Sequence, residues 1–304
     1  MRARKNQLGL WGQIKRNMDL YLMLAPFAVL FFIFTVVAVI AAIMLGFTDF
    51  NMVEAPRFTG VSNYVRILLD DDVFLIAARN TLVFAVVTGP ISYFLCLFFA
   101  WMINELPRYL RALMTFVFYV PSISGSVYVI WSYIFSGDPY GLANSLLMQL
   151  GIINEPVLWL SDARYMLTII IVVQLWASLG TSFLAFIAGL QGVDKSLFEA
   201  GAIDGIRNRF QELRLITLPS MGPQLMFAAV MQIGAAFSVG GICNALAGFP
   251  STDYAAHTII THIGDMGTTR FEMGYACALA TILFIVMVLF NNLIRRFLLR
   301  RTNL

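Results

Sequence analysis

The chain has 304 residues, of which 60% are hydrophobic and only 12% are charged, with a formal net charge of +3. An average soluble domain carries roughly 25% charged residues, so a soluble enzyme, a disordered chain and a nucleic-acid-binding domain are all disfavoured. The three cysteines lie in apolar stretches without metal-ligand spacing, so we expect neither a disulfide nor a metal site.

Six apolar segments are each long enough to cross about 30 Å of hydrocarbon as a helix, which takes about 20 residues. They cover residues 20–46, 81–103, 112–135, 165–190, 222–246 and 273–294. All six lack Lys, Arg, Asp, Glu and His. The first is too long for a signal-peptide core, and Gly240-Gly241 predict a broken or kinked end in the fifth. The composition therefore predicts an all-α polytopic membrane protein, with residues 1–304 forming one transmembrane domain.

The distribution of basic residues predicts the orientation. The amino-terminal segment, the loops after spans two and four and the carboxyl tail hold 15 of the 20 Lys and Arg residues. Basic residues accumulate on the cytoplasmic side, so we expect both termini to be cytoplasmic. The external segments are then 47–80, where short interfacial helices are expected, and 136–164 and 247–272, whose composition predicts turns.

The absence of ionisable residues from the predicted spans restricts the possible functions. Ion-driven carriers and voltage sensors keep ionisable groups inside the bilayer, and the predicted spans have none. His257 and His262 are five residues apart, a spacing that does not put them on one helix face. Two possibilities remain open: a stand-alone channel or uniporter for a small neutral solute, or a pathway subunit powered by a separate protein.

The one long cytoplasmic loop, 191–221, is the informative segment. We expect a short helix over residues 195–203, a corner at Asp204-Gly205 where glycine allows positive φ, and a second helix over residues 207–215. Pro219 is expected to end that second helix and start the next span. By composition alone this could be an ordinary amphipathic interfacial loop.

The residues of this loop resemble the Glu-Ala-Ala motif of permease subunits in ATP-binding-cassette importers. The matching residues are Glu199, Ala200, Gly205, Ile216, Leu218 and Pro219. Asp204-Gly205 is similar to the carbohydrate, maltose-type branch, as are Asn80-Thr81, residues 60–64, 120–122 and 140–144, and the segment before the loop. Two departures exist: Gly201 replaces the second Ala, and ten residues rather than nine separate Gly205 from Ile216.

The resemblance implies a type I importer permease bundle without an active site of its own or a bound cofactor, since ATP and Mg²⁺ bind to partner subunits. Implied partners are a second homologous permease, two cytoplasmic ATPase subunits, an external solute-binding protein, the lipid bilayer and a sugar substrate, with no nucleic acid. The implied location is the bacterial inner membrane. The first loop helix would be the coupling helix. The expected ATPase-coupling residues are Glu199, Ala200, Gly201, Asp204, Gly205, Arg207 and Phe210.

Polar residues inside the spans are the candidates for a substrate pathway. They are Tyr119, Ser122, Ser178, Thr181, Ser182, Gln232 and Ser238. Only Ser122 matches the sugar permeases by identity, and the others correspond in position. Hydroxyl and amide groups suit a neutral sugar, but the same side chains also commonly bond to their own or neighbouring helices.

Overall fold

The structure is a computed structural model that describes residues 12, 15, 17–125 and 128–302, with side chains up to residue 296. Most of the basic amino-terminal residues used to predict orientation lie outside this part of the chain. The first seven helices are α1 Met18–Leu45, α2 Ser62–Leu69, α3 Asp72–Asn104, α4 Arg108–Ile123, α5 Tyr128–Ile134, α6 Leu142–Gln149 and α7 Ala163–Ala177. The next seven are α8 Thr181–Gln191, α9 Lys195–Ile203, α10 Arg209–Glu212, α11 Gly222–Phe237, α12 Gly241–Ala247, α13 Ile259–Gly264 and α14 Met273–Thr302.

Four helical segments are long and apolar enough to cross a membrane: α1, α3, α7 with α8, and α14. The bent pairs α4–α5 and α11–α12 raise the number to six if each pair makes one crossing. The bend of 42° between α11 and α12 falls at Gly240, where the sequence predicts a break.

The segment over residues 112–135, which we expect to be one span with a kink at Pro121, consists of two helices. Helix α4 ends at Ile123, Ser124 has extended backbone, and α5 begins at Tyr128. The apolar pattern continues through this region and conceals the break. Ser and Gly residues there favour local turns over helix, so the ladder of hydrogen bonds stops soon after Pro121.

The external segments are more helical than their composition predicts. Helix α3 begins nine residues before the expected start of span two, because the Asp71 side chain caps it by accepting a hydrogen bond from the Phe74 amide at 2.9 Å. The segments predicted as turns contain α6 and α13. Residues 47–80 contain α2, one of the short helices expected there.

The core of the bundle lies where α3, α8 and α11 meet. Cys96, Phe183, Phe186, Met221 and Ala228 are fully or almost fully buried there. In contrast, α1 has no buried residue, and its carboxyl-terminal part packs on α14. Large apolar side chains exposed along α1 fit a lipid environment or another apolar protein surface.

Candidate functional site

The candidate coupling helix, α9, is defined by its two ends. Helix α9 begins after Asp194, whose side chain accepts a hydrogen bond from the Ser196 amide at 3.0 Å. That bond lowers the pKa of the exposed Asp194 carboxyl and keeps it charged at the positive end of the helix dipole. The helix ends at Asp204, and Gly205 turns the chain with φ of +92°. The bounds and the corner are those that the sequence predicts.

The inner face of α9 packs on the segment that returns towards the membrane. Gly201 is buried, and a Cβ at this position would lie 2.6 Å from Ile216 Cδ1 and 3.0 Å from Ile206 Cδ1. The glycine that departs from the family pattern therefore makes room for Ile216. The consequence is a compact insert in which α9 and the returning segment touch directly.

The opposite face of α9 and its corner are open to solvent. Glu199, Ala200, Asp204, Gly205 and Arg207 are exposed. Ile203 at the tip is 88% exposed. Ala200, Gly201 and Asp204 also line an open cavity of about 480 Å³ between α9 and the returning segment. This surface combines charged side chains, small side chains and an apolar tip. Such a combination is more typical of a protein interface than of a surface that contacts only water.

Phe210 does not join that surface. It lies with Phe94, Phe98 and Trp101 along α3, in a groove of about 650 Å³. The structure thus separates Phe210 from the other six residues predicted for coupling.

The second helix of the loop starts later and extends further than predicted. Asn208 caps α10 by accepting a hydrogen bond from the Gln211 amide at 2.8 Å, so the helix starts at Arg209 rather than at residue 207. A π-helical turn, Leu213–Thr217, follows it. The expectation for Pro219 is wrong, because this proline fits into the first turn of a short helix, Leu218–Ser220, and the break falls at Met221.

An ion pair joins the loop to the neighbouring crossing. Arg209 contacts Glu212 at 2.8 Å and Glu105, just after α3, at 3.4 Å. More than 100 residues separate Arg209 from Glu105, so no local spacing in the sequence could have revealed the contact.

The candidate pathway residues gather near helix breaks. The end of α4 lies against the break between α7 and α8, since a Cβ on Gly180 would be 3.2 Å from Ser122 Cβ. Ser122 is exposed and its hydroxyl donates to the Tyr119 carbonyl at 2.8 Å, while Ser178 donates to the Leu175 carbonyl at 2.6 Å. Each hydroxyl keeps acceptor capacity for another donor.

The remaining candidates divide into buried and exposed ones. Ser182 donates to the Ala228 carbonyl at 3.2 Å, and Gln232 Nε2 lies 3.4 Å from the Ser178 carbonyl and 3.2 Å from Cys96 Sγ. Both are almost fully buried and connect helices. Thr181 and Ser238 are exposed beside the breaks after α7 and α11. Irregular backbone at membrane depth needs protein or water around it, so we expect these breaks to lie against protein or a water-filled cavity rather than lipid.

Sequence reasoning missed three buried polar contacts in the segments predicted to be external. Asn80 donates to the carbonyls of Tyr254, Ala255 and His257, and the Asn144 amide binds backbone groups of its own loop. Both belong to motifs that the sequence singled out, but only as marks of resemblance. The two histidines, which their spacing seemed to separate, are 3.2 Å apart.

No group of three or more His, Cys, Asp and Glu side chains is placed to hold a metal ion in the part of the chain that the structure describes.

Comparison with known proteins gives a family match and similar relatives. Residues 92–303 match the family described as "Binding-protein-dependent transport system inner membrane component". The chain is 30% identical to the probable ABC transporter permease protein YesP of Bacillus subtilis over 278 residues, covering 90% of this chain and 87% of YesP. It is 28% identical to the lactose transport system permease protein LacF of Rhizobium radiobacter, covering 91% and 93%.

The fold has a solved counterpart. A bacterial ABC transporter that imports the acidic polysaccharide alginate contains a chain with a TM-score of 0.75 and 25% identity, covering 96% of this chain and 99% of that one. The same transporter in complex with its alginate pentasaccharide-bound periplasmic protein gives a TM-score of 0.76. The chain therefore belongs to the inner membrane components of binding-protein-dependent transport systems, and it is a multi-pass permease subunit of an ATP-binding-cassette importer.

Proposed function

We propose that this permease moves a sugar, either a monosaccharide or an oligo- or polysaccharide fragment, from an external solute-binding protein into the cytoplasm. The relatives named for lactose and alginate support this substrate class, as does a candidate pathway that offers hydroxyl groups and no charge. The chain itself is non-catalytic, and partner subunits bind ATP with Mg²⁺ and hydrolyse it.

In this proposal the ATPase binds to the exposed surface of α9. The exposure of that surface is the observation on which the proposal depends. A rigid insert between α8 and α11 transmits tilt to both crossings, because Gly201 packs on Ile216 and Arg209 holds Glu105. Glu199 and Asp204 offer charge to a basic or backbone partner, and Ala200 permits close approach.

The assembly needs four further proteins. A second, homologous permease completes the pathway, two ATPase subunits bind on the cytoplasmic side, and the solute-binding protein docks on the external segments 47–80, 136–164 and 247–272. Both termini are then cytoplasmic, in the inner membrane of a bacterium. The alginate importer, crystallised with its periplasmic protein, supports the external partner.

The sugar pathway passes the helix breaks in this proposal. Tyr119, Ser122, Ser178, Thr181 and Ser238 supply partly or fully exposed polar groups there. Ser182 and Gln232 stabilise the packing of the helices that line the pathway, because their hydrogen bonds already join α8, α11 and the Ser178 carbonyl.

The proposal is tested by purifying the complex from native membranes and identifying its subunits by mass spectrometry. Recovery of a second permease and an ATPase, with sugar uptake into proteoliposomes only when ATP is present, is the expected result. A chain that purifies alone and passes sugar without ATP is instead a stand-alone channel or uniporter, the alternative that the comparisons disfavour.

A further inference from the structure

Four side chains form a hydrogen-bonded chain at the outer end of the bundle, apart from the coupling and pathway residues. Asp71 Oδ2 accepts hydrogen bonds from the Tyr275 hydroxyl and from His262 Nε2, the latter at 2.8 Å. His262 Nδ1 lies 3.2 Å from His257 Nε2. Both histidines are at most 2% exposed, so neither ring exchanges partners with water.

The hydrogen bonds assign the protons of the neutral chain. Ionised Asp71 only accepts, so a neutral His262 carries its proton on Nε2 and presents a bare Nδ1. His257 Nε2–H then donates to that Nδ1. Burial alone would raise the pKa of Asp71, but hydrogen bonds from Tyr275, His262 and the Phe74 amide outweigh it and lower that pKa. The chain is thus complete with one carboxylate and two neutral imidazoles.

The chain ties together elements that are far apart in sequence. Asp71 caps α3, His262 belongs to α13 and Tyr275 to α14, while His257 lies in the preceding loop, which Asn80 holds through three carbonyls. The ring of His257 also contacts Phe249 and Tyr254. The ionisable groups around His257 are Asp71, Tyr254, His262, Asp265, Arg270 and Tyr275, with Arg66 and Glu272 paired beyond Tyr275.

We propose that this chain is a proton-sensitive lock, which holds segment 249–264 against the outer ends of α3 and α14 and opens when His257 takes up a proton. The proton adds to Nδ1 of His257 and makes a buried imidazolium. In the neutral chain His257 Nε2–H is already bonded to His262 Nδ1, so the added Nδ1–H of His257 finds no acceptor among these four side chains. The segment relieves the cost by moving away and exposing His257 to water.

The sign of the pH effect follows from the burial of His257. Burial first, and then the neighbouring His262, lower the pKa of His257 from 6.5 to about 4, whereas an opened loop restores the ordinary value. The lock is therefore intact above pH 6.5 and weakens as the pH falls below it. By proton linkage, opening becomes about 30-fold more favourable at pH 5 than at pH 7.5.

Hydrogen exchange of the purified complex in detergent tests this lock. In detergent, the cytoplasmic and external sides of the protein are exposed to the same pH. The result therefore does not depend on the proposed orientation or on the sugar. After correction for intrinsic exchange rates, protection of residues 249–264 should fall about 30-fold from pH 7.5 to pH 5. Protection of α6, an outer helix without a place in the lock, should stay constant and serves as the internal control.

Two variants separate the lock from general loop stability. His257→Phe keeps an aromatic ring between Phe249 and Tyr254 but removes the proton site, so protection should no longer depend on pH. Asp71→Asn should lower protection at both pH values, because the carboxylate that aligns His262 and Tyr275 is lost. The proposal is overturned if wild-type protection is equal at both pH values, or if His257→Phe keeps the wild-type pH dependence.

Discussion

Replacing Gly205 tests how the corner after α9 works. Gly205 has φ of +92°, and a Cβ built on it meets nothing within 4 Å. A side chain here therefore suffers no collision, and the cost is that of holding an L-residue at positive φ, roughly 1–2 kcal/mol. A cost of that size shifts the balance between the native corner and relaxed ones by about 5- to 30-fold. Val, which is β-branched, should be worse than Ala, and Asn should be the mildest substitution.

The assay compares ATP hydrolysis with sugar uptake in proteoliposomes containing the complete importer. We expect Gly205→Val to assemble normally but to transport several-fold less sugar per ATP hydrolysed, because the tilt of α9 no longer reaches the crossings. Gly151→Val is the matched control, since Gly151 has φ of +70° with equally open surroundings but lies in a segment predicted to be external. The reasoning is refuted if Gly205→Val keeps the wild-type coupling ratio, or if Gly151→Val lowers it equally.

Three further substitutions probe other contacts. Gly201→Leu should overpack the site that Ile216 fills and cost about 1–3 kcal/mol, seen as faster hydrogen exchange in α9; unchanged exchange contradicts the packing. Asn144→Ala should cost about 1–3 kcal/mol, because several partly buried backbone groups lose partners, and local exchange over residues 136–159 measures it. Glu105→Gln and Arg209→Gln should each lower the free energy of unfolding by up to about 1 kcal/mol, and the double variant should lose less than the sum of the two; additive losses would contradict the pair.

The sequence predicts what depends on local pattern. Apolar segments of sufficient length locate the crossings, and the bounds of α9 follow from Asp194 at one end and Asp204-Gly205 at the other. These signals act within a few residues of the feature they set. The Gly240 bend is foreseeable for the same reason, since Gly240-Gly241 interrupts an apolar run.

Two kinds of feature cannot be predicted from local sequence patterns: those that lie inside continuous apolar runs, and those that depend on contacts between residues distant in sequence. The breaks after Ile123 and Ala177 lie inside continuous apolar runs, so hydropathy passes over them. The contact between His257 and His262 was missed because helix spacing was applied to a pair of which one member precedes the helix. The Arg209–Glu105 contact depends on how α3 and the loop come together in space.

Site-specific photo-crosslinking from the tip of α9 tests the central claim most directly. Ile203 and Tyr140 are 88% and 95% exposed, so each can carry a photoreactive residue without disturbing the fold. Ile203 lies in the loop predicted to be cytoplasmic, and Tyr140 lies in a segment predicted to be external. We predict that a probe at position 203 forms an adduct with an ATPase subunit, and that a probe at position 140 does not. A probe at position 203 that captures only lipid, or the external binding protein, would contradict the account.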